Sequence, residues 1–458
     1  MLDLVAATAA PPPPLPDSFA AAALARRLAA RTATVAVVGL GHVGLPLAMA
    51  TAKAGFRTVG LDTDPARVAR LSAGESPLRH VAASELRLSL IEGRFRTGDG
   101  GDLAAADAIL VCVPTPLGPD RNPDLSCVEA AAAQAARHLR PGQLVVLEST
   151  TWPGTTRERV LPILEASGLR CGRDFFLAYS PEREDPGNAE FGTADIPKLV
   201  AGADAASQRL ALMFYGAVVR RAVPVSSLET AEAAKLAENV FRAVNIALAN
   251  ELKLVFGAMG VDPWEVTRAA ATKPFGYMPF WPGPGPGGHC IPVDPHYLAW
   301  RAREKGAETR LLDLACAIND EMPRRVLERL AGALAARGKG LAGSRVLVLG
   351  VGYKRNHEDA RESPGLRLMG MLEAAGAAAT HFDPLVPEIP LLAEHPALAG
   401  RRGLAWSAEE LRGFDAALVA TDHDGVDYAA LVAAAPLVVD TRGVCARLGL
   451  SGPNVVTA

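Results

Sequence analysis

At 458 residues the chain is too long for one ordinary core, so two or three domains are expected. A formal net charge of -3, with 21% charged residues and no dense Lys/Arg block, excludes an electrostatic reader of nucleic acid or of an anionic membrane and points to a small soluble substrate. Six scattered cysteines (Cys112, Cys127, Cys171, Cys290, Cys316, Cys445), with no CxxC pair and no His at metal spacing, argue against a zinc site or a disulfide framework and for a reducing cytoplasm.

Residues 1–33 are Ala-rich with prolines at 11–14 and lack a basic start followed by an unbroken apolar run, so they read as a flexible leader and not a signal peptide. No apolar run elsewhere is long enough to span a bilayer. From Thr34, short β-branched runs (TVAVVGLG, RTVGLD, AILVCVP, QLVVLEST) alternate with Ala/Leu-rich helical stretches, the order of βαβ units feeding a parallel sheet. This first domain is expected over 34–226. A middle segment, 227–321, loses the β runs: TAEAAKLAENVFRAVNIALANELKLVFGAMG reads as one long helix, and TKPFGYMPFWPGPGPGGHCIP is too rich in Pro and Gly for helix or strand. Alternation resumes with SRVLVLGVGYK and continues through AAATHFDP, DAALVATD and PLVVDTRG, giving a second doubly wound domain over 322–458.

Gly39, Gly41 and Gly44 form G-x-G-x-x-G after a β run and at a helix start, the context in which the motif binds a dinucleotide. The first glycine makes the tight turn, the second admits the pyrophosphate, and the third lets helix and strand pack closely. His42 and Val43 line that turn. Asp62 follows the next strand at the offset where a carboxylate accepts the ribose hydroxyls, which favours NAD over NADP, and Arg67 is expected to flank the adenosine. Thr115 in VCVPTP and Thr150 in LESTTWPG lie beyond strand ends, where ligands of such sheets sit, although Thr and Pro are also ordinary turn residues.

Three further runs are hard to explain as packing: YSPERED around Glu182, AAKLAENVFR with Lys235, Asn239 and Arg242 on one helix face, and GGHCIPVD with Cys290 and Asp294. Taken singly, a polar stripe is more often a solvated face and a lone Cys a small buried apolar residue. Together and in order, with VPTP, GVGYK, DARESP and TDHD, these runs resemble the UDP-glucose/GDP-mannose dehydrogenase family from about Thr34 to Gly443.

That resemblance implies an α/β fold of two Rossmann-like doubly wound domains joined by a central helical dimerisation domain, and two successive hydride transfers from a sugar C6 alcohol to NAD. It implies Cys290 as the nucleophile that carries the sugar as thiohemiacetal and then thioester, and Lys235 for proton transfer or stabilisation of oxygen charge. Asn239 would serve the oxyanion, Asp294 and Thr115 would position the hydrolytic water, and Glu182 would be the base. Arg183, Arg242, Gly287, Tyr353 and Lys354 would meet the substrate, and Arg442 its uridine end. Arg361 would reach the cofactor of a neighbouring subunit, which implies an obligate homodimer built on the long helix. A cytoplasmic role in polysaccharide biosynthesis follows from the same likeness.

Where relatives oxidising UDP-glucose carry Cys-x-Pro-Lys-Asp, this chain has Val293 in the lysine position, His289 before the cysteine, and Pro186 where a second glutamate stands. Those departures resemble the branch handling 2-acetamido sugars, with UDP-N-acetylglucosamine expected first and UDP-N-acetylmannosamine or UDP-glucose as alternatives. A non-catalytic nucleotide-sugar sensor would be expected to lack Cys290, Lys235 or Asn239. A two-electron hydroxyacid-type dehydrogenase would need neither the cysteine loop nor a second nucleotide domain.

Overall fold

A computed structural model describes residues 18–184 and 192–458. The first half of the expected leader and Pro186 therefore lie outside the described residues. The chain divides into two compact units, Met1–Ala237 and Glu238–Ala458. The division falls inside the helix Leu228–Ala258, whose 31 residues realise the long helix expected from the spacing of its apolar residues.

The first unit is built on a sheet of strands β1 (Thr34–Val38), β2 (Arg57–Leu61), β3 (Phe95–Thr97), β4 (Ala108–Val111), β5 (Leu144–Leu147), β6 (Phe176–Tyr179), β7 (Lys198–Gly202) and β8 (Ala222–Pro224). Their order is β3-β2-β1-β4-β5-β6-β7-β8. Strands β1, β4, β5 and β6 are almost wholly buried, as apolar strands covered on both faces must be. The reversal of order between β1 and β4 opens a crevice at their carboxyl ends, the usual ligand site of such sheets. Two expectations are corrected here. The sheet is not parallel throughout, because β7 runs antiparallel to β6, pairing Ala178 with Gly202 and Tyr179 with Ala201. Nor is the leader flexible to residue 33: Phe19–Ala29 form a helix, with Ser18 as N-cap and Arg26 and Arg27 in its last turn. Its residues Ala21, Leu24, Ala25 and Leu28 fall at helical spacing and join the core that includes Phe214 and Tyr215.

The second unit holds β9 (Arg345–Leu349), β10 (Ala378–Phe382), β11 (Ala416–Val419), β12 (Val438–Asp440) and β13 (Val455–Thr457), all parallel, in the order β10-β9-β11-β12-β13. Helices Pro263–Ala271, Asp294–Glu304 and Arg310–Ala335 precede that sheet. Residues 273–293, the Pro/Gly-rich run, contain neither helix nor strand. No helix among the described residues is long and apolar enough to cross a membrane.

Candidate active site

In the first unit the glycine turn leaves β1 with Gly39 at φ 91°, and a Cβ there would lie 2.6 Å from the Cys112 carbonyl oxygen. A Cβ on Gly44 would sit 1.8 Å from the Gly39 carbonyl oxygen, whereas one on Gly41 would meet nothing within 4 Å. Two of the glycines thus fold the turn, and the third leaves an open approach to the backbone. No side chain caps the helix Gly44–Lys53 that follows Val43, so its N-terminal amides are available to phosphate oxygens. His42 stacks on His80 with ring centroids 6.2 Å apart. The site fits a dinucleotide.

Asp62 accepts from the amides of Leu40 at 2.8 Å and Asp64 at 2.9 Å. Its third partner is the half-exposed Arg67, whose guanidinium donates to it at 2.9 Å. Burial opposes the Asp62 charge, but the two amides and Arg67 outweigh it and hold the carboxyl below its ordinary range. Thr115 is buried and Thr150 partly so. Ser149 donates to the Val113 carbonyl at 2.7 Å, tying the end of β5 to that of β4.

Glu182 follows β6, and its Oε1 accepts from the amides of Arg183 and Glu184, both at 2.7 Å. Arg183 itself donates to the Pro197 carbonyl at 2.5 Å. Burial opposes ionisation of Glu182, but Lys198, those amides and Lys235 outweigh it, so the carboxyl is held below its usual value. Lys235 is buried on the long helix. One turn earlier, Glu232 accepts from Gly154 N at 2.6 Å, Thr156 N at 2.9 Å and Thr156 Oγ1 at 2.7 Å, which fixes the loop after β5 to that helix. The buried residues Glu148, Lys198, Tyr215 and Glu232 were not singled out from the sequence. A glutamate closing the apolar run QLVVLE and a lysine opening KLVAG were the available signals, since buried charge is rare unless paired.

In the second unit the Asn239 amide donates to Asp294, and Arg242 donates to the Asn239 oxygen. Asn239 and Asp294 are buried. Asp294 opens the helix Asp294–Glu304, where a carboxylate is favoured by the helix dipole. Its amide and that of Val293 bond the Cys290 carbonyl at 2.9 and 3.2 Å, so the cysteine sits one tight turn before that helix. The GGHC glycines permit close packing. A Cβ on Gly287 would approach Tyr353 Cβ to 2.7 Å and the Glu362 carbonyl to 2.8 Å, and Gly288 donates to the Arg361 carbonyl at 3.1 Å.

The Arg361 guanidinium grips Asp359 at 2.6 to 3.0 Å and lies within electrostatic reach of Cys290. His289 is lowered in pKa by burial and then by Arg361, so it is biased towards the neutral ring. Lys354 accepts the His357 amide through its carbonyl at 3.1 Å, and Tyr353 donates its amide to Asp359 at 2.8 Å. Asp383, after β10, stands where Asp62 stands after β2, but it is consumed internally. It accepts from the amides of Val351, Gly352, Leu385 and Val386 at 2.7 to 3.0 Å and contacts the His423 ring at 3.1 Å. Arg442 and Arg447 share Asp422, at 3.3 and 2.6 Å, on the wall of a cavity of about 280 Å³ that also meets Trp264, Trp281 and Arg355. Aromatic faces with guanidinium groups suit a base joined to phosphates.

Comparison with known proteins agrees with this architecture. Residues 33–218 match the NAD binding domain of the UDP-glucose/GDP-mannose dehydrogenase family, 229–321 its central domain and 347–447 its UDP binding domain. The chain is 39% identical, over 77% of its length and 83% of the relative's, to a UDP-N-acetyl-D-glucosamine 6-dehydrogenase of Pseudomonas aeruginosa. It is 34% identical, over 85% and 89%, to a UDP-N-acetyl-D-mannosamine dehydrogenase of Pyrococcus horikoshii. Among solved structures, UDP-D-ManNAc dehydrogenase of Pyrococcus horikoshii superposes with a TM-score of 0.81 at 30% identity, covering 93% of this chain and 98% of that one. A UDP-glucose dehydrogenase of Pyrobaculum islandicum gives 0.79 at 30% identity over 90% and 94%. With its dinucleotide turn and its cysteine loop packed on a second nucleotide fold, the chain belongs to the UDP-glucose/GDP-mannose dehydrogenase family and is an NAD-dependent UDP-sugar dehydrogenase.

Proposed function

We propose that the substrate is UDP-N-acetyl-D-glucosamine, oxidised at C6 from alcohol to carboxylate through a thioester on Cys290. The observation that carries the sugar assignment is Val293, buried at 6% exposure in the position where UDP-glucose relatives place a lysine. An apolar side chain there removes a charge and leaves room for a bulkier sugar. His289, biased to its neutral form, and the 39% identity to the Pseudomonas aeruginosa enzyme support the same reading. UDP-N-acetylmannosamine is the second reading, favoured by the likeness to the Pyrococcus horikoshii enzyme.

NAD, when bound, would take up one hydride in each of the two oxidation steps, a second NAD replacing the first, and Gly39, Gly41, His42, Val43, Gly44, Asp62, Arg67, Thr115, Thr150 and Arg361 are proposed to hold it. Cys290 attacks the aldehyde carbon so that the intermediate is retained and not lost to solvent. Asn239 donates to the developing oxyanion, a contribution of about 3 kcal/mol in comparable sites. Lys235 serves the sugar oxygen, Asp294 and Thr115 orient the hydrolytic water, and Glu182 takes its proton. Arg183, Arg242, Gly287, Tyr353, Lys354 and Arg442 form the substrate-binding set. The working form is proposed to be a cytoplasmic homodimer.

NADH formation with UDP-N-acetylglucosamine, UDP-N-acetylmannosamine and UDP-glucose tests this. The highest kcat/KM is expected with the first, at two NADH per sugar. Faster turnover of UDP-glucose than of either acetamido sugar overturns the assignment, and one NADH per sugar overturns the thioester route.

A further inference from the structure

The interior of the first unit holds a charged cluster of which the reaction scheme has used only Glu182. Lys198 is 4% exposed, and a buried ammonium costs several kcal/mol unless paired and hydrogen-bonded. Its three N–H donors meet three acceptors: Glu148 Oε2 at 2.7 Å, the Pro181 carbonyl at 3.2 Å and Glu182 Oε2 at 3.3 Å. The other Glu148 oxygen accepts from the Tyr215 hydroxyl. One lysine therefore answers two carboxylates, where a neutral pair would need only one.

Topology explains how a strand's first residue comes to this place. Glu148 and Glu182 lie beyond the carboxyl ends of β5 and β6, the ligand edge of the sheet. A parallel β7 would start at the opposite edge. Because β7 is antiparallel to β6, its first residue, Lys198, enters at the carboxyl edge beside Glu182.

We propose that Lys198 is a positioning residue for thioester hydrolysis: anchored by Glu148, it fixes the orientation and the negative charge of Glu182. This rests on the reading of Glu182 as the hydrolytic base. In that step water adds to the thioester carbonyl, its proton passes to Glu182, the C–S bond breaks, and the electron pair returns to Cys290 Sγ. Glu182 Oε1 is committed to two amides and Oε2 to Lys198, so the carboxylate is held in one orientation with lone-pair capacity left on Oε2. The charged groups bearing on it are Lys198 from β7 and Lys235 from the long helix, which favour its charge, and Glu148 beyond β5, which opposes it. Glu148 bears on Lys198, and the Cys112 thiol, at the end of β4, lies in the same field. Lys198 is held charged: burial opposes this, and Glu148 and Glu182 outweigh burial. Burial pushes Glu148 up to about 7.

Lys198→Met, Lys198→Arg and Glu148→Gln, compared with wild type and Glu182→Gln in the full chain with NAD and UDP-sugar, test the assignment. In Lys198→Met the first NADH should form at nearly the wild-type single-turnover rate. The Cys290 thioester should accumulate, and the acid limb of hydrolysis should move up by at least about one pH unit, roughly ten-fold in rate on that limb. KM values should stay within about two-fold, and Lys198→Arg should restore the profile, because it restores the charge. Glu148→Gln should move the limb the other way, since removing a competing carboxylate tightens the hold of Lys198 on Glu182. A structural role alone would not give shifts of opposite sign.

A Lys198→Met limb that superposes on wild type overturns the proposal. If Lys198→Met does not fold, the signs for Lys198→Arg and Glu148→Gln decide. Failure of the base reading is distinguishable: Glu182→Gln would then hydrolyse the thioester with the limb intact. In that case infrared titration of the Glu182 carboxyl, assigned by its loss in Glu182→Gln, still reports whether Lys198 sets its charge. An unchanged titration in Lys198→Met overturns the inference.

Discussion

Cys290 and Asp383 show two ways in which one side chain is made to matter. The sulfur of Cys290 is the group proposed to bond the substrate carbon, while its carbonyl is already spent on the turn into the helix at Asp294. Replacement by serine keeps the turn and removes the thiol, the better nucleophile, so Cys290→Ser is expected to bind UDP-sugar and NAD within about two-fold and to lose at least about a thousand-fold in acid production. Calorimetric binding together with NADH release checks both parts, and near-normal turnover would remove the covalent route. At Asp383 burial opposes the charge, but the His423 ring and the amides of Gly352 and Leu385 outweigh it and bring the carboxyl from 3.8 down to about 2. A folded value below the unfolded one means stabilisation that is complete above about pH 4 and is lost as pH falls through 2. Asp383→Asn should therefore cost about 2 kcal/mol at neutral pH, and the gap to wild type should close between pH 4 and 2. Urea unfolding at a series of pH values measures this; a gap independent of pH would show that charge is not the cause. Asp62 and Cys290 were legible in the sequence because each sits in a motif of fixed spacing. Glu148, Lys198 and Asp383 were not, because their partners are distant in the chain and only folding brings them within hydrogen-bond reach.

Among elements, legibility followed the strength of the periodic signal. The strands β1, β2, β4, β5, β9, β11 and β12 and the long helix each carry a continuous apolar pattern, and all form where the pattern lies. The strands β3, β8 and β13 carry no such run, and the direction of β7 is set by tertiary pairing. The helix Phe19–Ala29 was misread for a different reason: alanine-rich composition next to prolines suggested disorder, while Ala21, Leu24, Ala25 and Leu28 already had helical spacing. Because Leu24 is fully buried in the core of the first unit, Leu24→Ala should destabilise that unit by about 2–5 kcal/mol. Differential scanning calorimetry reads this as a lower transition temperature; a change within about 0.5 kcal/mol would mean that the helix is dispensable to the core.

At the scale of the whole molecule, the long helix leaves apolar surface that the single chain does not cover. Phe241, Leu248 and Val255 recur every seven residues, hence along one face, and are 48%, 49% and 41% exposed. Met259 extends the same stripe at 69%. Proteins seldom leave such a row in water, and pairing with a second copy of the helix would bury it without any other partner. The proposed homodimer would cover that row. If it is correct, two charges set into the centre of the stripe must either be desolvated against the partner or break the interface, and desolvation is the costlier course. Leu248→Glu combined with Val255→Glu should therefore sediment as a monomer at micromolar concentration. Circular dichroism of the chain should be preserved, because both positions face outward. Activity should fall with the dimer if Arg361 serves a neighbouring subunit, and adding a chain with intact stripe residues should not rescue it unless mixed dimers form. A double variant that sediments as wild type would place the interface elsewhere, and a monomer with full activity would show that each chain completes its own site.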